Sequence, residues 1–188
     1  MLLAYCGHGA QMSVKDGDRE RQEPFLVPSD GKFVASKDRA ELSKTLIPVG
    51  ELIEQLQQSK AGTRLVLIDA ARNEVKMARS AQEVEGLAQI GTARVRMGTS
   101  VLFSCSSGQK AFESEKLKHG VFFYYVLEAL RGQAANDKGE VTWGRLTEYV
   151  AEKTSEQVPE LIGGGAKQTP HEIGHLAGRS PLLLRVSR

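Results

Sequence analysis

The chain has 188 residues, 40% hydrophobic and 26% charged, with a formal net charge of +2. That fits one soluble globular domain with a core large enough to fold unaided, and the mixed charges make no electrostatic case for binding nucleic acid or an anionic membrane. Its two cysteines, Cys6 and Cys105, exclude a disulfide framework and place the default in a reducing, cytoplasmic compartment; no apolar run reaches the roughly 18–20 residues of a membrane helix.

The opening run Met1-Leu-Leu-Ala-Tyr-Cys6 lacks a basic leader and is cut short by Gly7-His8-Gly9, so it reads as a buried strand delivering a histidine to a loop. Residues 10–24 are charged and punctuated by Gly and Pro, the pattern of an exposed loop. Phe25–Pro28 is a second short strand closed by the turn residues Ser29-Asp30-Gly31. Pro48 opens a helix to about Ser59 with Val49, Leu52, Ile53 and Leu56 on one face. Leu65–Asp69 is an uninterrupted apolar run, the mark of a strand covered on both faces as in parallel sheets. A long polar loop over 72–98 follows, then a second covered strand at Ser100–Cys105 and a polar loop from Ser106 to His119. A helix at about 120–131 takes its packing from Phe122-Phe-Tyr-Tyr125. Asp137-Lys-Gly139 is a turn, Thr142 caps a helix to about Glu156, and Gly163-Gly-Gly165 is a flexible connection.

Strands alternating with helices imply an α/β sandwich with a mainly parallel sheet. Ligands of such sheets sit beyond the carboxyl ends of the strands. Three strands end in polar residues that do not pack: His8, then Asp69-Ala-Ala-Arg-Asn73, then Ser104–Gln109. Their convergence on one rim is the physical pointer to a site.

Three ordered segments carry a family likeness: Leu3-Ala-Tyr-Cys-Gly-His-Gly9, Leu65-Val-Leu-Ile-Asp-Ala-Ala-Arg-Asn73, and Val101-Leu-Phe-Ser-Cys-Ser-Ser-Gly-Gln-Lys-Ala-Phe-Glu113 running on to His119-Gly-Val-Phe-Phe-Tyr-Tyr125. Together they resemble the caspase-like cysteine peptidases, specifically the paracaspase and metacaspase branch with its bacterial members. The likeness covers most of residues 1–150 and implies a caspase-like α/β/α sandwich over 1–188. It also implies a His–Cys dyad cleaving after a basic residue. His8 would be the general acid/base, and a backbone N–H at Gly9 would serve the oxyanion. Asp69 would floor the pocket for a P1 Arg or Lys, with Glu113, or alternatively Glu115, as its second wall. No cofactor or metal is implied; a calcium requirement stays open. The expected partner is a peptide or protein with a basic P1 residue.

Two departures qualify the likeness. The nucleophile position holds Ala71, so the chain should bind peptides without cutting them. His8, Asp69, Ala70 and Arg72 persist around this single missing sulfur, which favours a replaced catalytic cysteine over drift; a natural pseudo-peptidase acting as a binding module is the alternative. The family's first strand–helix–strand unit also has no counterpart in the sequence, so a preceding segment or separate chain is expected to complete the sheet.

Other features have simpler readings. Cys105 and Cys6 are expected to be packed thiols. His171-Glu172-Ile-Gly-His175 matches the zinc motif His-Glu-x-x-His, with Glu172 as base. Gly163–Gly165 and Pro170 confine it to a short helix, and Pro181 stands where a third ligand would fall. The stretch is expected to be a tail packing near the rim.

Overall fold

The computed structural model describes residues 1–17, 19–34, 36–71, 95–106 and 108–186. Ten strands and four α-helices occur among them in the order β1 (Leu2–Asp16), β2 (Arg19–Val27), α1 (Arg39–Leu42), β3 (Ile47–Pro48), α2 (Val49–Gln57), β4 (Arg64–Ala71), β5 (Thr99–Phe103), β6 (Glu113–Ser114), β7 (His119–Gly120), α3 (Val121–Glu128), β8 (Glu140–Thr142), α4 (Trp143–Ile162), β9 (His171–His175) and β10 (Leu182–Arg185). A π-helical turn, Ala129–Gln133, extends α3.

The main sheet has the order β3-β2-β1-β4-β5-β9. Its centre, β1-β4-β5, is parallel, and β2 and β9 flank it antiparallel. Val66, Ile68, Ala70, Val101 and Phe103 pack on one face with Val49 and Ile53 of α2. Leu65, Leu67 and Leu102 point the other way, onto Phe122 and Val126 of α3 and Trp143, Leu146 and Val150 of α4. The period-two pleat thus splits each apolar run between two helical layers, which is why the runs show no polar alternation. The structure is an α/β sandwich with mostly parallel central strands.

Several elements differ from the sequence expectation. Residues 10–24 are not a loop: β1 continues to Asp16 and pairs with β2 from His8↔Val27 to Asp16↔Arg19, Gly17 entering the turn at φ +63°. Val14 and Phe25 are buried there with Leu42 and Leu46. The buried Glu23 of β2 is held by both carboxylate oxygens on Arg39 Nε, at 2.9 and 3.1 Å. A charge pattern read as exposure is thus a strand whose acid finds its base sixteen residues on. Gly7-His8-Gly9 accordingly lies inside β1 and not in a loop.

The helix after Thr142 continues past Glu156 to Ile162, with Pro159 inside it and Val158 fully buried. The His-Glu-x-x-His stretch is β9, not a helix. On a strand, His171 and His175 stand roughly 13 Å apart, against the roughly 6 Å of a helical turn, so the zinc arrangement does not form. His171 stacks on Phe103 (centroids 5.2 Å apart), and Glu172 accepts from Ser100 Oγ and, at 2.7 Å, from Trp143 Nε1. Arg72, Asn73 and most of the polar 72–98 loop lie outside the described residues.

Candidate active site

The site follows from strand register. In the parallel β1/β4 pair, Cys6 lies opposite Asp69 and His8 opposite Ala71. Neighbouring strands run about 4.8 Å apart, so His8 and position 71 come together at the carboxyl edge of the sheet. His8 is also where β1 leaves β4 and begins pairing with β2. The Tyr5 hydroxyl fixes that changeover, donating to the His8 carbonyl at 2.8 Å and the Val27 carbonyl at 3.1 Å. This accounts for Gly7: a Cβ there would lie 2.8 Å from the Tyr5 hydroxyl.

Asp69 is 4% exposed, and its Oδ1 is buried without a hydrogen-bond partner. Burial drives its carboxyl up to about 6; Ser104 pulls it down by hydrogen bonding, and the charge of Glu113 adds to the rise. Oδ2 faces Gly120, where a Cβ would sit 3.0 Å away. Gly120 is the register partner of Glu113 in the β6/β7 pair. Asp69, Gly120 and Glu113 therefore form one acidic corner on the α3 face. Glu113 itself is exposed.

Two contributors escaped the sequence reading. Gln168, 1% exposed, donates to the Ser104 carbonyl at 3.0 Å and accepts from the Phe112 N–H at 2.9 Å, tying the Asp69 neighbour to the residue before Glu113. Beside it Gln109 accepts from Thr169 N–H at 2.6 Å, and Ser106 Oγ donates to the Thr169 carbonyl at 2.9 Å. The stretch before β9 thus clasps the loop that follows β5, whereas His171–His175, expected as a tail, is a strand of the main sheet paired with β5; a lone amide such as Gln168 leaves no motif. The other is Cys6, expected to be packed but exposed, because Ala4, Cys6 and His8 share a face of β1 that α3 and α4 do not cover. Cys105 is buried as expected.

A recess of about 350 Å3 lies away from this corner, at the amino ends of the strands, lined by Met1, Leu2, Leu65, Leu67, Trp143 and Leu182. It is apolar and carries none of the chemistry.

A parallel-centred sandwich that brings His8 and position 71 into register at the carboxyl edge of its sheet fits a cysteine-peptidase-type fold. The family model of the caspase domain matches residues 1–176, and the chain belongs to that family. Among solved structures it is similar to one described as "structure of pro-sf-caspase-1", at 15% identity and a TM-score of 0.48, over 84% of this chain and 62% of that one. The chain thus spans less than two thirds of that relative's length. No curated protein matches it in sequence.

Proposed function

We propose that the chain is the core of a caspase-like cysteine endopeptidase of the paracaspase/metacaspase type, selective for Arg or Lys at P1. Here it is a Cys-to-Ala form that binds and does not cleave. The observation that carries this reading is Asp69: a buried carboxylate with an unpartnered oxygen, two register positions before the pair of His8 and position 71. An unpaired buried carboxylate is costly unless a cation completes it, and a guanidinium reaching Asp69 and Glu113 would supply that cation.

With a thiol at position 71, a thiolate would attack the scissile carbonyl while His8 takes and returns the proton. Backbone N–H groups about Gly9 would face the oxyanion. With alanine there, the acidic corner and the flanking strands remain for binding. The same alanine supports a second reading, a natural pseudo-peptidase that presents the groove as an interaction module.

A completing segment fits an edge of β1. Among the described residues, Leu2–Gly7 has a strand on one side only, because β2 joins from His8 onward. A strand added there, from the same or another chain, would satisfy that edge and lie beside the apolar recess.

Calorimetric titration of the Ala71 protein with peptides differing only in a terminal Arg, Lys, Gln or Asp tests the binding half of the proposal. Arg and Lys peptides should bind at least about tenfold tighter than Gln, since an unpaired charge in the corner costs more than 1.4 kcal/mol. Equal affinities for Arg and Gln would refute the basic pocket.

A further inference from the structure

We infer that Cys6 is a thiol-modification site on the wall of the acidic corner, taking cationic disulfides in preference to neutral or anionic ones. Three placements carry it. Cys6 is an exposed free thiol, and it is the register partner of Asp69, so the two side chains leave adjacent strands on the same face. Asp69 is 4% exposed with an unpartnered Oδ1, and its other oxygen abuts Gly120, which pairs with Glu113. A cation drawn to the two carboxylates therefore arrives beside the sulfur. The electrostatics agree: partial burial first, then the charges of Asp69 and Glu113, push the Cys6 thiol up.

The reaction is thiol–disulfide exchange with a low-molecular-weight disulfide as oxidant. The Cys6 thiol gives its proton to solvent, and the thiolate attacks one sulfur of R–S–S–R. A Cys6–S–S–R bond forms, the reagent's S–S bond breaks, and R–S⁻ leaves to take up a proton. When R is aminoethyl, the adduct carries an ammonium two methylenes beyond the disulfide, in the space a P1 Lys would fill. On the basic-P1 reading, on which this consequence rests, the adduct occludes the pocket until a thiol reductant removes it.

The test compares second-order rates of Cys6 modification by cystamine and by 3,3′-dithiodipropionate at pH 8, followed by intact-protein mass spectrometry and normalised to a neutral model thiol. Both reagents meet the same thiolate fraction, so their ratio isolates the local charge. We expect the normalised ratio to favour cystamine by roughly tenfold at low salt, to shrink as salt screens it, and to fall toward one in Glu113→Gln. Cys6→Ser should show no adduct, Cys105 being buried. A ratio near one, or a ratio that Glu113→Gln and Asp69→Asn both leave unchanged, overturns the inference. An aminoethyl adduct that binds Arg-ended peptide as tightly as the unmodified protein overturns the occlusion. Failure of the unmodified protein to bind Arg-ended peptide would instead refute the basic-P1 reading, while the rate ratio still decides where Cys6 stands.

Discussion

Replacing Asp69 with asparagine should stabilise the protein at neutral pH and abolish its preference for basic ligands. Asparagine keeps the shape of the side chain and a carbonyl oxygen for Ser104, so the change removes charge and little else. The Asp69 carboxyl is raised from the usual 3.8 to about 6 by burial, with Glu113 adding to the rise. At about 1.4 kcal/mol per unit, a rise of about two units corresponds to about 3 kcal/mol. The folded state holds the proton more tightly than the unfolded state. Its contribution to stability is therefore fully present below about pH 4 and is lost as the pH rises through about 6. Urea denaturation of both proteins between pH 4 and 8 should show a stability difference near zero at the acid end. It should grow in favour of Asp69→Asn to about 3 kcal/mol by pH 7–8. The same titration governs binding: affinity of the parent for Arg-ended peptide should weaken as the pH falls through about 6, whereas the weak affinity of the variant should be flat. A stability difference independent of pH, or one favouring aspartate at pH 8, would refute the account of Asp69 as an uncompensated buried acid.

Gln168→Ala should cost about 2–3 kcal/mol by leaving the Ser104 carbonyl and Phe112 N–H unsatisfied. It should also weaken Arg-peptide binding through misplacement of Glu113; unchanged affinity would remove Gln168 from the site's support. Gly7→Ala should displace the Tyr5 hydroxyl and lower stability by about 1 kcal/mol, a loss that Tyr5→Phe should largely reproduce and that should not add in the double variant; full additivity in denaturation would contradict the contact. Elemental analysis should find no stoichiometric zinc held by His171 and His175, and a full equivalent lost in His175→Ala would overturn the strand assignment of β9.

How much was legible depended on whether a residue's role is local. The runs Leu65–Asp69 and Val101–Phe103 announce covered strands because both faces of each are buried, and Thr142 announces a helix because capping needs only its neighbours. His8, Asp69 and position 71 could be placed together because strand ends of a parallel sheet share a rim. The β1/β2 hairpin was hidden: Glu23 reads as solvent-exposed until Arg39 is seen beside it, and the charges mask the alternation of Ala10, Met12 and Val14. Gly7 invited a loop because its packing reason, the Tyr5 hydroxyl beneath it, appears only in three dimensions. His171-Glu-Ile-Gly-His175 misled for the opposite reason: a motif describes spacing along the chain, and pairing with β5 converts that spacing from a helical turn into an extended strand.

The proposed function holds that a single sulfur separates this chain from a working His–Cys dyad. It is tested most directly by assaying Ala71→Cys against fluorogenic peptides that differ only at P1. Cleavage is expected after Arg and Lys alone, abolished when His8→Ala is added although Arg-peptide binding persists. Cleavage after Asp would contradict the acidic corner, and no cleavage at any P1 residue would contradict the dyad and leave the chain a binding module.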